Sequence, residues 1–476
     1  MASNLRTQPK LPRRAGLAAS LLIALGMFES GRAVDAKQAP TLAALEMDAM
    51  LETAFQSAPP VVRNVVNCND DGTPGTLRTE IEAAANGDTI DLTQLACSAI
   101  TLGFPIHVTQ DSLYLRGPVA DTLTISGGDQ FPVFQHTGIG TLDISNLKIS
   151  HGYNFSNGWA AGGCIYSAAN VSLKSSEVSS CVLVSAGSRA SGAGIYTAGD
   201  LTLISSIIAD NHAIQLGGTP SLDPADGGAY VNGTLFAKYT TFSGNSAHQL
   251  NTAMPNGHGG GVYLSAAAAQ IESSTFSGNT SDICGAIQSI VTGPLIISNS
   301  TISGNSAIVK GGGICGDQGV AISNSTIAFN KDPPDSGYGS GMSIGWSATM
   351  TLESTIVANN VGSSDIAGIG GSGIVGSHNL VTSSDLGLPA DTLQTCARLD
   401  RLADNGGPAR THALLLGSAA IDRGSNDTNL VHDERGADRV IGTFADIGAF
   451  ERQIGAIDDR VFADDFENNT DRNCSP

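Results

Sequence analysis

Between residues 160 and 345 the side chains able to do acid–base or electrostatic work are sparse. The basic ones are Lys174, Arg189, Lys238, Lys310 and Lys331, and the imidazoles are His212, His248 and His258. Candidate carboxylates are Asp200, Asp210, Asp223, Asp226, Glu272, Asp282 and Asp317. Elimination from an acidic polysaccharide needs a base beside a cation or arginine that neutralises the carboxylate. The five basic residues do not recur at one register, so that chemistry finds no platform here. Glycoside hydrolysis needs two carboxylates roughly 5–9.5 Å apart. Asp223 and Asp226 share one loop, but nothing in the spacing supplies their partner. His258, between Gly257 and Gly259, reads as a loop residue beside a glycine corner. His212 and His248 follow asparagines at corners and read as exposed loop residues. Nearer the C-terminus, Asp404, Asp422, Asp433, Asp446 and Glu451 are clustered oxygens of the kind Ca²⁺ favours. Their competing role is to cap turns beside glycine. No catalytic residue, cofactor or metal ligand is assigned, with Ca²⁺ the one ion left open.

The most regular polar residues are asparagines. From 160 to 360 a Gly-rich start precedes an apolar residue: GGCIY (162–166), GAGIY (192–196), GGAYV (227–231), GGGVY (259–263), CGAIQ (284–288), GGGIC (311–315) and GSGMS (339–343). A second signature, apolar-x-x-Asn, follows and ends at Asn211, Asn245, Asn279, Asn305, Asn330 and Asn359. In the first unit Cys181 stands at the asparagine position. The asparagines are 25 to 34 residues apart, the range of solenoid repeats. Runs such as Leu201-Thr-Leu203 alternate with period two, which predicts strands. Each unit is therefore expected to be one coil of about three short strands, stacked so that every strand pairs with its copies in parallel. Ile195, Val262, Phe276, Ile287 and Ile302 should point inward. Asn tolerates the left-handed conformation, and its amide can bond the next coil's amide. The six asparagines are expected to form a structural ladder at one corner.

The spacing from inward apolar residue to apolar-x-x-Asn stays within 13 to 15 residues, whereas the return is variable. Insertions should therefore collect on one edge, as loops 182–191, 212–226, 246–258 and 331–338. Such an edge is where solenoids commonly bind partners. Before the repeats, Thr76–Asn86 predicts a short helix whose Leu77, Ile81 and Ala84 cover the first coil. Strand-like runs follow at Thr89–Leu92, Ala99–Leu102, Ser112–Leu115, Leu123–Ile125 and Leu142–Ile149.

Gly accounts for 58 of 476 residues, charged side chains for 14%, and the net charge is −20. So acidic a surface repels nucleic acid and argues against that class of partner. Arg6, Lys10, Arg13 and Arg14 precede an apolar run, Ala15–Phe28, as in a secretory signal peptide. No later segment is apolar for long enough to span a membrane once that signal is removed. Export permits disulfides. Cys68 and Cys97 flank the short helix and are the expected pair, with Cys396 and Cys474 a weaker one.

The paired GGxI and FxxN signatures resemble the repeats of polymorphic outer membrane proteins and related bacterial surface β-helices. GTLRTEIEAAANGDTIDL, within Val65–Leu92, is similar to the N-terminal cap of bacterial right-handed parallel β-helix proteins. LADNGGPARTHALLLGSAAIDRG, DERG and DIGAFE, within 402–451, resemble the choice-of-anchor domain that ends such proteins. The resemblance implies an exported surface or extracellular right-handed β-helix, often adhesive. The chain ends about 25 residues after Glu451, leaving no room for the autotransporter barrel. Gly257-His258-Gly259 also matches a polygalacturonase triplet, but that family's paired aspartates and Arg-Ile-Lys are absent.

The expected organisation is a signal peptide (1–36), a linker or mobile helix (37–61), an all-β right-handed parallel β-helix with its N-terminal cap (62–376), an irregular C-terminal choice-of-anchor-like cap (377–453) and a flexible tail (454–476). The expected function is non-catalytic binding of an extracellular glycan or surface protein through the loop edge. A polysaccharide lyase or glycosidase and a structural envelope component are the alternatives. The oligomeric state does not follow from the sequence.

Overall fold

A computed structural model describes residues 60–453, apart from 120–122, 218–224, 253–254, 266–267, 291, 318, 346–347 and 369. The signal peptide, most of the 37–61 linker, the tail, Asp223 and Cys474 lie outside the described residues.

The strands wind into a right-handed parallel β-helix of three long sheets. Sheet I has 12 strands, from Val62–Asn64 to Gly373–Ser377; sheet II has 11, from Ala99–Thr101 to Leu380–Val381; sheet III has 10, from Ile106–Val108 to Ile366–Gly368. A coil passes through III, I and II in turn, as in Ile165–Ser167, Asn170–Lys174 and Glu177–Ser179. Each strand pairs in parallel with its copies, for example Ile195 with Ile165 and Ala229. Alternate residues point inward, so Ile195, Val262, Phe276, Ile287 and Ile302 are all fully buried. Phe242 and Phe276 stack on successive rungs with ring centres 4.4 Å apart.

The corner after sheet II explains both repeat signatures together. Asn211 Nδ2 donates to Asn245 Oδ1, Asn245 to Asn279, Asn279 to Asn305 and Asn305 to Asn330, at 2.8 to 2.9 Å. Each amide also donates to a carbonyl of the preceding coil, as Asn279 does to Phe242. Asn330 hands on to Asn360 and not to Asn359. Asn359 instead takes the left-handed place, at φ 61°. The register shows why: Val357 pairs with the inward Ile327, so the apolar-x-x-Asn frame begins one residue later than Ile356 suggests. The left-handed residue is throughout the one before the ladder: Asp210, Gly244, Gly278, Gly304 and Phe329. The ladder side chains point into the corner and occupy the space beside the glycine preceding the inward residue. A Cβ on Gly228 would lie 2.7 Å from Asn245 Cγ, and one on Gly341 would lie 2.7 Å from Asn360 Nδ2. GGxI carries glycine there because the asparagine of xxN fills the room a side chain would need.

The first unit replaces that contact with a bond. Cys164 holds the glycine place and Cys181 the asparagine place, and they form a disulfide. Cys181 N–H still donates to Asn211 Oδ1. Cys284 joins Cys315 on the next coil, and Cys68 joins Cys97 beside the helix. A second polar column runs along the corner between sheets I and II. There Thr240, Ser274 and Ser300 N–H groups donate to Ser274, Ser300 and Ser325 Oγ.

The edge expected to be loops is largely strand. Val182–Ser185, His212–Gln215 and Ser246–Gln249 belong to a six-stranded sheet IV, from Tyr153–Ser156 to Ser306–Lys310. The chain returns through a three-stranded sheet V of Ala160–Ala161, Ala190–Ser191 and Ala225–Asp226. Between them lies a satellite core of small residues, including Ala160, Leu183, Ala190, Ala213 and Ala247. The middle coils therefore carry five strand segments, not about three.

Helix α1 (Leu77–Ala83) is capped by Thr76 and buries Leu77 and Ile81. It stops before Asn86 because Gln110 Nε2 takes the carbonyls of Ile81 and Ala84. The run Leu142–Ile149 is two strands, broken at Asn146 with φ 54°.

Beyond the last coil, Leu386 and Leu388 cover the core end. The chain from Ala397 then folds back along the outer face of sheet II, rather than only closing the end. Ile356, Ala358, Leu399, Leu414, Ile447 and Phe450 form its apolar contact. Glu434, fully buried, accepts from the hydroxyls of Thr275 and Thr301. Ser303 Oγ lies 2.8 Å from His412 Nε2.

Asn279→Ala removes two donated and two accepted hydrogen bonds in a buried column. It should destabilise the protein by roughly 3 kcal/mol, read as a lower midpoint in urea unfolding. Burial pushes the Glu434 carboxyl well above its ordinary 4.5, against the pull of the two threonines. Its stabilising contribution is therefore full below pH 4.5 and is lost as pH rises through the folded value. Glu434→Gln should raise the thermal midpoint at pH 9 relative to the native protein, and leave it little changed at pH 5.

Candidate functional site

The outward residues of sheet III form a column. Tyr166, Tyr196, Tyr230 and Tyr263 occupy one register, followed by Gln288. Their rings stack at 5.3, 5.1 and 5.4 Å, within 10° of parallel. Sheet V and the segment after it face this column with a second: Ser191, Asp226, His258 and Ile283 in register. The glycines at 192, 227–228 and 259–261 turn the chain from one column into the other.

Arg189 lies between them. Its Cζ is 4.7 Å from the Tyr230 ring centre and 5.0 Å from that of Tyr263, and its Nε donates to Asp226 Oδ2 at 2.8 Å. His258 stacks on Tyr263 at 5.7 Å. Its Nε2 lies 2.9 Å from Asn256 Oδ1, an acceptor, so Nε2 carries the proton and Nδ1 is left as an acceptor. Trp159 stands edge-on to Tyr196 at 5.3 Å. The two ends differ in access: Trp159 is 49% exposed, whereas Tyr263 is 6% and Asp226 fully buried. The site is thus an aromatic face that leads to a covered polar cluster.

Among the described residues, His258 Nδ1 and Gln288 Oε1 are buried without a hydrogen-bond partner, while Ser191 supports Asp226 and Arg189 engages the Tyr263 hydroxyl. An unsatisfied buried polar atom costs about 1–3 kcal/mol, so these two atoms are a strain that the cluster carries. Burial raises the Asp226 carboxyl, with Arg189 pulling it back. Arg189 stays charged despite burial because Asp226 sits beside it. His258 is pushed down to about 4, by burial first and then by Arg189 and Lys310. Burial likewise lifts the Tyr196 and Tyr263 hydroxyls to about 12. At neutral pH the cluster sets the Arg189–Asp226 contact beside a neutral imidazole and neutral phenols.

The other candidates disperse. His258 is no free loop residue, because its column neighbours cover it. His212 and His248 lie in sheet IV strands, with Nδ1 2.8 Å from Ser246 Oγ and 2.9 Å from Asp282 Oδ1 respectively. Asp282 also accepts from the N–H groups of Gln249 and Gly257. Asp200 accepts from Thr234 N–H, and Asp210 fills a left-handed corner. Lys238 pairs with Glu272 on sheet I, far along the coil from the tyrosines. Lys310 meets Tyr338, while burial raises Asp317 against Lys310. In the C-terminal segment Asp404 accepts from Gly406 N–H, Asp433 pairs with Arg435, Asp446 accepts from Asp422 and Arg452 N–H, and Glu451 accepts from Ile441 and Asp446 N–H. Among the described residues no group of three or more His, Cys, Asp or Glu is placed to hold a metal ion. None of the described helices is long and apolar enough to cross a membrane.

The tyrosines were visible in the sequence, as the last or fourth letter of GGCIY, GAGIY, GGAYV and GGGVY. Arg189 and Asp226 carried no such signal, because their loops differ in length from coil to coil.

No family model matches the chain, and no curated protein matches it. Among solved structures, the crystal structure of pectate lyase Pel9A is similar at a TM-score of 0.48 and 14% identity, over 84% of this chain and 98% of that one. The class this chain's own strand pairing defines is the parallel β-helix.

The lowered His258 pKa fixes a pH window. The neutral ring contributes stability above pH 6.5, and that contribution is lost as pH falls toward about 4. The histidine Cε1 proton resonance assigned to His258, found by its absence in His258→Asn, should hold its neutral shift at pH 5.5 and move only near pH 4.

Proposed function

We propose that the protein acts outside the cell as a non-catalytic binder of glycans, using the face between sheets III and V. The observation that carries this reading is the exposed Trp159, set against a tyrosine column that leads to unsatisfied polar atoms. Aromatic bodies with polar tips suit a ligand with alternating apolar and hydroxyl faces. The signal-like N-terminus and the disulfides Cys68–Cys97, Cys164–Cys181 and Cys284–Cys315 fit export. The resemblance to polymorphic outer membrane protein repeats and to a choice-of-anchor domain supports a surface or extracellular location. A glycosidase is the second reading. It draws on Asp226, whose burial favours a proton-holding carboxyl, as a general acid requires. The charged group Asp226 meets is Arg189, however, and not a second carboxylate.

The mature protein should retain polysaccharide on a glycan array, and Trp159→Ala should weaken retention by about tenfold while the circular dichroism spectrum stays β-rich. Release of new reducing ends during incubation would replace this reading with the glycosidase. An array with no retention on any glycan would remove both.

A further inference from the structure

Where the C-terminal segment lies on sheet II, it brings together a second set of reactive groups, apart from the tyrosine face. We infer that Ser303 and His412 are a nucleophile and its base, and that this site hydrolyses short-chain carboxylic esters. The glycan-binding reading of the tyrosine face does not depend on it.

Ser303 is an outward residue of the sheet II strand Thr301–Ser303. His412 comes from an antiparallel hairpin, Leu399–Ala403 with Thr411–Leu414, in which it pairs with Leu402. Its Nδ1 lies 2.6 Å from the Asp400 carbonyl oxygen, which can only accept. Nδ1 therefore carries the ring proton, and Nε2 presents a lone pair. Ser303 Oγ lies 2.8 Å from that lone pair and donates to it. The backbone carbonyl thus holds the imidazole in the tautomer that a general base needs. Phe329, on the next rung, packs its ring against the imidazole at 5.0 Å and supports its plane. Burial pushes His412 below its ordinary 6.5, against the pull of Asp400, so the base is neutral at pH 7.

A serine–histidine contact that only docks the hairpin needs no space around it. This contact borders a cavity of about 350 Å³, lined by Ser303, His412, Phe329, Leu402 and Arg401. Ser303 and His412 are only 3% and 2% exposed, and the exposed Arg401 stands at the cavity's rim. Phe329 and Leu402 suit an apolar acyl group. Arg401 supplies a cationic donor for the oxygen of a tetrahedral intermediate. The volume is at the small end of ligand sites, which sets the acyl chain as short.

The reaction balances with water alone. Ser303 Oγ adds to the ester carbonyl carbon while His412 Nε2 takes its proton. The bond to the alcohol oxygen breaks, and Nε2 gives that oxygen the proton. Water then adds to the acylated Ser303 and passes a proton to Nε2. The acyl–Oγ bond breaks, Oγ recovers the proton, and a carboxylic acid leaves.

The test incubates the mature protein with p-nitrophenyl acetate and butyrate, and separately with a fluorophosphonate that phosphonylates activated serines. Both esters should be hydrolysed, and peptide mass spectrometry should find the phosphonate on Ser303. Ser303→Ala should abolish hydrolysis and labelling. His412→Gln keeps an acceptor toward Ser303, so the hairpin stays docked without a base. It should lower kcat/KM by about a hundredfold or more. Circular dichroism and thermal midpoints check the fold of both variants, and the label on the native protein is read without either. A phosphonate elsewhere, or hydrolysis that survives both substitutions, overturns the inference by moving the chemistry off this pair. Absence of both hydrolysis and label overturns it too, and leaves Ser303–His412 as a docking contact.

Discussion

The corner at which each asparagine side chain presses against a glycine governs the rest of this structure. A solenoid stacked from coils of unequal length needs one point where successive coils cannot slip. A one-residue slip would send every inward residue outward. Asn211, Asn245, Asn279, Asn305 and Asn330 provide that point, because each amide bonds the next coil's amide and the previous coil's carbonyl, and Asn360 ends the column on Asp365. Their burial makes the bonds obligatory, since an unpaired buried amide is costly. Glycines such as Gly228 and Gly341 are the other half of the device. At its N-terminal start the same two places are joined covalently by Cys164 and Cys181.

With register held there, the coil can vary elsewhere. Sheets IV and V grow out from the chain just after the ladder and return just before the glycines. They bury their own small-residue core, so the excursion is ordered without borrowing from the main one. The consequence for function is geometric. The tyrosines stack because sheet III is in strict register, while Arg189, Asp226 and His258 reach them because the excursion returns beside that column. A rigid scaffold on one side and a variable return on the other is a common way for a solenoid to build a binding face.

The C-terminal segment shows the same economy with charge. The acidic residues there are not a solvated fringe. Asp433, Asp446 and Glu451 are buried and turned onto backbone N–H groups and Arg435, and Glu434 meets two threonines of sheet II. The first three brace the irregular chain against itself, and Glu434 pins it to sheet II beside the apolar contact around Ile356 and Phe450. The carboxylates weighed in the sequence as Ca²⁺ ligands or turn caps are here largely internal braces.

Repetition made the coil legible in the sequence. Period-two runs, the GGxI starts and the recurring asparagines specify a parallel stack with an inward Ile195, Val262 or Phe276, because those patterns report backbone geometry that every coil must satisfy locally. The same repetition misplaced Asn359 by one residue, since a doubled Asn359-Asn360 leaves the frame undecided until Val357 is paired with Ile327. The edge segments read as loops because His212–Gln215 and Ser246–Gln249 are short and polar, and only stacking on neighbours turns them into strands. The binding cluster was beyond the sequence for a further reason. Arg189, Asp226, His258 and Gln288 come from different coils separated by insertions of unequal length, so no fixed spacing links them. What the sequence by itself determined is the coil, because a coil is a local and repeated solution. The tertiary structure alone decided which side chains meet across coils, because that depends on where each variable excursion returns.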